Sequence, residues 1–301
     1  MLDQFKGCLL GAAIGDALGM AGESNPPDFQ RLREGYRRAW RGHPNARLRP
    51  GQFTDDTQMM LLVAELLAEG TYTEDAYAAG LAQMHMKGEM RFPDGSVEAA
   101  CEHMLLGGLK RSGVNSTTAG CVSIAIPFSL VYDDVIEATE RIVKACSVTH
   151  TNPAAHAASI AVGMLIRYAV RGRPDALDLA QKSASLEDTV LGRKIRDALR
   201  IEREGLTLES ALSVLGNDIT VYQTLPLSFF LMSRFRDAGE LLVVASHAGG
   251  NTDTIGLICG AYIGAKCGKS VFSADLLQGL EDRERIETLA GRLYAVYSGK
   301  E

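Results

Sequence analysis

The stretch Phe5-Lys6-Gly7-Cys8-Leu9-Leu10-Gly11-Ala12-Ala13-Ile14-Gly15-Asp16-Ala17-Leu18-Gly19 places a glycine at every fourth position. On a helix, Gly7, Gly11, Gly15 and Gly19 share one face, a nearly smooth stripe on which another backbone can pack closely. Each glycine costs about 1 kcal/mol relative to alanine in a helix interior, so four in register imply packing that offsets the loss. Residues 255–268 repeat the device with Gly256, Gly260, Gly264 and Gly268. The same spacing serves helix pairs in membranes, but Asp16 in the first stretch and Asn251-Thr252-Asp253-Thr254 ahead of the second exclude that setting. The two segments are expected to be neighbouring core helices. Antiparallel packing would bring Asp16 and the following Glu23 to Asp253 and Thr254, gathering acids from distant parts of the chain.

Outward from this pair, Thr54-Asp55-Asp56-Thr57 stands at the start of an apolar helical run. Alone it reads as an N-cap with first-turn acids favoured by the helix dipole. The second cluster, Gly249-Gly250-Asn251-Thr252-Asp253-Thr254, has the same character. Two clusters of carboxylate, hydroxyl and amide oxygens at two helix starts suit a hard divalent cation such as Mg²⁺ or Mn²⁺. His150 precedes the helix start Asn152-Pro153, where it either holds the turn through its ring nitrogens or lines a site; His247 has similar status. His43, His85 and His103 show no ligand spacing and receive no role. The segment Ser112 to Thr118, with Ser116 and Thr117, is small and polar and reads as a surface or site-lining loop. No phosphate-binding glycine loop and no nucleophile elbow is present.

Residues 20–52 lack periodicity and carry Pro26, Pro27, Pro44 and Pro50, a long loop of the kind that is functional or mobile. Helical spacing predicts helices over 54–69, 74–87, 96–110, 133–146 capped by Asp133, 153–171, 175–183, 187–204, 207–215, 221–235, 237–246 and 276–297. No hairpin signal or strand pattern alternates with them, so residues 1–301 are expected to form one all-α domain. With 46% hydrophobic residues the chain can bury a large core, and a formal net charge of -6 without a long basic block argues against nucleic-acid binding. Cys8, Cys101, Cys121, Cys146, Cys259 and Cys267 lie singly, as expected of reduced thiols in the cytoplasm. Neither a signal peptide nor an uninterrupted apolar span of about 18 residues is evident, so no membrane segment is expected.

Gly15-Asp16-Ala17-Leu18-Gly19 with Glu23, Phe53-Thr54-Asp55-Asp56-Thr57, His150 before its proline-started helix, and Gly249 to Gly256 together resemble the ADP-ribosylglycohydrolase family. The resemblance runs from residue 7 to about 268. It implies an orthogonal bundle of about a dozen helices, two Mg²⁺ or Mn²⁺ ions, and hydrolysis at the anomeric carbon of a ribose. It also implies that Thr54, Asp55, Asp56, Asn251, Asp253 and Thr254 hold metal and that Glu23, Asp55 and Asp56 carry catalysis. Asp16, Glu23, Ser116, Thr117, Gly120, His150, Gly249 and Gly250 would line or support the substrate site. Two departures stand out. Asn251 replaces an aspartate, removing one negative charge, and Ala119-Gly120-Cys121-Val122-Ser123-Ile124 lacks the polar members of the family's Asn-Gly…Met-Arg segment. The expected activity is metal-dependent release of ADP-ribose from a modified protein side chain or small molecule. The alternatives are an N-glycosidase acting on a ribosylated metabolite and a non-catalytic metal- or ADP-ribose-binding relative. The sequence leaves the oligomeric state open.

Overall fold

A computed structural model describes residues 1–108 and 112–299. It contains fifteen α-helices: α1 (Leu2–Gly19), α2 (Asp55–Glu69), α3 (Glu74–Met86), α4 (Gly95–Gly107), α5 (Ala125–Val131), α6 (Val135–Ser147), α7 (Pro153–Val170), α8 (Ala176–Glu187), α9 (Thr189–Arg203), α10 (Leu208–Leu215), α11 (Val221–Arg234), α12 (Ala238–Ala245), α13 (Thr252–Cys267), α14 (Ala274–Gly279) and α15 (Arg283–Ser298). Among the described residues the only β pairing is two isolated bridges, Val114 with His150 and Thr118 with Thr220. The all-α expectation holds.

The axis of the fold is the antiparallel pair α1 and α13. A Cβ added to Gly7, Gly11 or Gly15 would overlap the backbone carbonyl of Gly264, Gly260 or Gly256, and the reverse substitutions fail in the same way. Backbone therefore lies directly on backbone along the whole seam, which only glycine permits. Both helices are apolar on every side and buried almost throughout. α7 packs against the same core; it is long and apolar enough to cross a membrane, yet 83% of it is buried inside the protein.

Several boundaries differ from the periodicity. The cap of α6 is Asp134, whose Oδ1 accepts from Glu137 N at 2.8 Å, while Asp133 pairs with Arg171. The single helix expected over 276–297 is two. Asp282 stands in the left-handed region at φ 53, and the break holds Glu281 against Arg91, Gln52 and the Gly51 carbonyl. α5 was not anticipated, because a helix buried all round carries no amphipathic period. The last positions of the helix expected over 96–110 lie outside the described residues, and α4 ends at Gly107.

Candidate functional site

The start of α2 is held by a residue of α1. Asp16 accepts from Thr54 N (2.9 Å to Oδ1, 3.1 Å to Oδ2), from Thr57 N (3.1 Å) and from the Thr57 hydroxyl (2.6 Å). A carboxylate from another helix thus does the capping that was assigned to Thr54, whose own side chain makes no cap bond. The Thr54 hydroxyl is left buried without a hydrogen-bond partner. Asp55 and Asp56 follow in the first turn, with Asp55 N donating to the Arg91 carbonyl at 3.1 Å.

α13 begins directly opposite. Thr254 donates its hydroxyl to Asp56 Oδ2 at 2.6 Å, joining residues 198 apart in sequence, and Thr252 donates to the Gly19 carbonyl at 2.7 Å. Asn251 turns its amide nitrogen to the Thr224 hydroxyl at 2.9 Å. Gly249 and Gly250, at φ 69 and 65, form the left-handed turn before the helix. Reciprocal bonds, Gly250 N to Asn25 O (3.0 Å) and Ser24 N to Gly250 O (2.7 Å), tie that turn to the 20–52 loop and so locate Glu23. Glu23 Oε2 accepts from Asn45 Nδ2 at 2.8 Å. His43 accepts from Asn45 N on Nδ1 (3.0 Å), so its Nε2 carries the hydrogen donated to the Glu23 carbonyl (2.7 Å). Sequence reasoning passed over His43 and Asn45. Their signal was His43-Pro44-Asn45, a cap followed by proline, the same signature as Asn152-Pro153.

Asp16, Glu23, Asp55, Asp56 and Asp253 therefore meet at one place, none more than 7% exposed. Burial raises the pKa of every one of them, and their mutual repulsion raises most of them further. Asp16 is pushed up to about 7, first by burial and then by the charge of Asp253. Glu23 is raised well above the usual carboxylate range, first by burial and then by the charge of Asp253. No cationic side chain among the described residues offsets this charge. The donor chemistry fits a hard cation: anionic oxygens in excess, and the orphaned Thr54 hydroxyl beside them. As placed, however, no three His, Cys, Asp or Glu side chains among the described residues converge as a finished ligand set.

A second polar network lies beside the acids, close enough that the charge of Asp94 raises both Asp55 and Asp56. Asp94 caps α4, its Oδ1 accepting from Ser96 N (2.6 Å) and Val97 N (3.0 Å). Gly120 packs so tightly on the other carboxylate oxygen that a Cβ there would overlap it. His150 is fully buried, with Nε2 2.8 Å from the Thr118 hydroxyl and 3.7 Å from Asp94 Oδ2. Ser116 and Thr117 are partly exposed in front of it, and the Thr117 carbonyl accepts from Val221 N at 2.9 Å. A cavity of about 1140 Å³, lined by Leu18, Tyr36, Phe235, Val243 and Phe272 among others, contains none of these acids.

The sequence profile of the ADP-ribosylglycohydrolase family matches residues 1–301. An uncharacterised protein of Archaeoglobus fulgidus is 34% identical, the alignment covering 99% of this chain and 98% of that one. ADP-ribosylhydrolase ARH3 of Bos taurus is 24% identical (98% and 93% covered), and ADP-ribosylarginine hydrolase Tri1 of Serratia proteamaculans is 27% identical (97% and 79% covered). A solved structure described as an ADP-ribosylglycohydrolase-related protein complex superimposes with a TM-score of 0.78, at 25% identity and 98% coverage of both chains.

Proposed function

We propose that this chain, which belongs to the ADP-ribosylglycohydrolase family and is a hydrolase of the glycosidase kind, releases ADP-ribose from a modified side chain or small molecule at the acid cluster, with divalent-cation dependence. The observation that carries the reading is the meeting of five buried carboxylates, from two helix starts, one helix end and one loop, with no protein cation among them. Thr54, Asp55, Asp56, Asp253 and Thr254 would hold Mg²⁺ or Mn²⁺, with Asn251 contributing at most an amide oxygen. When bound, the cation supplies Lewis acidity and charge neutralisation.

The chain's own groups divide the remaining work. Asp16, occupied entirely by α2, fixes the start of that helix and so the aim of Asp55 and Asp56. Asp55 or Asp56 orients the attacking water. Glu23, raised by burial and by the charge of Asp253 and braced by Asn45, moves a proton at the departing group through its carboxyl oxygens. Anionic oxygens around an oxocarbenium-like carbon favour the transition state over the neutral ground state. The unpaired cysteines support a reducing, cytoplasmic setting.

The test is release of ADP-ribose from ADP-ribosyl-arginine, ADP-ribosyl-serine and O-acetyl-ADP-ribose, with plain nucleosides as the contrast, in Mg²⁺, Mn²⁺ and chelator. Turnover of at least one ADP-ribosylated substrate, abolished by chelator, is expected. Asp55→Asn should abolish turnover and yet raise the Tm of the metal-free protein, because it removes a buried, repelled charge, worth about 0.5–2 kcal/mol. Release without a divalent cation, or full activity in Asp55→Asn, would sink the proposal.

A further inference from the structure

Residues 31–49, on the loop that carries Glu23, hold seven arginines and a single acid, Glu34. Elsewhere in the chain arginines such as Arg91, Arg171 and Arg285 pair with carboxylates. Among the described residues, none of the seven lies within ion-pair distance of one. Two of them are nevertheless fixed in place. Arg33 N donates to His247 Nε2 at 3.2 Å, and Arg37 Nη2 donates to the Ser246 carbonyl at 2.9 Å. His247 can accept there because its Nδ1 donates to the Val243 carbonyl at 2.8 Å, which leaves Nε2 as the bare nitrogen of a neutral ring. Arg37 Nε is buried with no hydrogen-bond partner among the described residues. Burial and then the charge of Arg33 pull Arg37 below its ordinary value, with Asp28 opposing. Two like charges are thus held side by side with an orphaned donor, an arrangement that an anion completes.

Ser246 and His247 run directly into the Gly249-Gly250 turn, which is bonded to Ser24 and Asn25 beside Glu23 and leads into α13 with Asp253. An anion on Arg33 and Arg37 therefore stands on the same turn that positions two of the site acids. The extent of the charge decides which anion. With seven arginines gathered in one segment, the rest of the chain is more acidic than its net charge of -6 indicates. A long polyphosphate would run off the segment onto repelling surface, whereas a short run of carboxylates is contained by it. Guanidinium forks also match carboxylates in bidentate geometry. We propose that Arg33 and Arg37 form an anion clamp that docks an acidic stretch of a protein substrate, the other arginines of the loop steering it there, so that the preferred substrate is a modified protein with acidic residues near the modified side chain.

This rests on the proposed release of ADP-ribose, and the two ideas are tested apart. Fluorescence anisotropy with labelled deca-glutamate, which carries no ADP-ribose, reads the clamp alone. Binding that weakens with added NaCl is expected, and Arg33→Ala and Arg37→Ala should each weaken it about ten-fold, the effect of one hydrogen-bonded contact between charged groups. Arg33 is anchored only through its backbone N–H, so Arg33→Ala keeps that bond, and lost binding at unchanged Tm separates docking from folding. No binding of deca-glutamate, undiminished binding by Arg33→Ala, or tighter binding of an oligothymidylate of the same length overturns the clamp. In turnover, Arg33→Ala should raise KM about ten-fold for an ADP-ribosylated peptide flanked by glutamates and leave O-acetyl-ADP-ribose unaffected. Equal losses on both substrates would place Arg33 in the reaction rather than in docking and overturn the clamp. A wild type that binds deca-glutamate but releases ADP-ribose from no substrate refutes the reaction and supports the clamp.

Discussion

The α1–α13 seam and the 20–52 loop deliver acids to the same cluster by opposite means. The seam has no polar side chains along most of its length; glycine on both sides lets carbonyls settle onto backbone, and Asp16 and Asp253 are carried at its end as if on one rigid body. The loop has almost no regular structure. It places Glu23 through a handful of hydrogen bonds, from Asn45, from His43 and from the turn at Gly250. A densely packed seam tolerates no added volume, whereas a loop fixed by hydrogen bonds tolerates rearrangement and loses only aim. Asp16 and Asp253 are thus placed by packing, and Glu23 by bonds that can open.

Breaking the seam should have the largest effect. Gly260→Val drives a branched side chain into the Gly11 carbonyl. Overpacking costs about 1–3 kcal/mol where side chains can yield; here the obstacle is backbone, so the variant should fail to accumulate as folded protein. Circular dichroism and a thermal melt check this, and wild-type stability would show that the helices are free to slide apart.

Breaking the loop should leave the fold and lose function. Asn45→Ala removes the donor to Glu23, together with a longer bond to the Met20 carbonyl at 3.3 Å. The expected result is a Tm within a few degrees of wild type and a kcat lower by about ten- to a hundred-fold, the scale of a mispositioned proton-transfer group. A large drop in Tm with unchanged kcat would mean that the loop is a structural strap and that Glu23 is not held for catalysis.

The smallest effect is expected where seam and loop join. Asn251→Asp adds a negative charge at the start of α13, but the present amide donates to Thr224, whose hydroxyl donates to the Asp218 carbonyl at 2.9 Å. The Thr224 hydroxyl must turn to satisfy the new carboxylate. Mg²⁺ or Mn²⁺ binding should tighten modestly and become more pH-dependent, because a carboxylate must be deprotonated to coordinate. Calorimetric titration reads this; an unchanged isotherm would confine the Asn251 side chain to its contact with Thr224.

Legibility in the sequence followed the range of the physics. The glycine spacing at 7–19 and 256–268 disclosed two helices and their contact faces, while the antiparallel sense that brings Asp16 to Asp253 was one open arrangement that the tertiary structure supplied. Side-chain period and glycine content are local properties that survive in the bare chain. Thr54 showed the limit of that reading. Its place before Asp55 announced a helix start, but whether its hydroxyl capped the helix depended on Asp16, 38 positions away. The split between α14 and α15 was invisible for the same reason, since Glu281 is drawn out of helix by Arg91 and Gln52. The chain by itself determined most of the helices and which residues carried hydrogen-bonding or ionisable groups. Only the tertiary structure decided which group satisfied which, because a buried polar atom must find a partner in space, and nothing in local sequence says from where that partner comes.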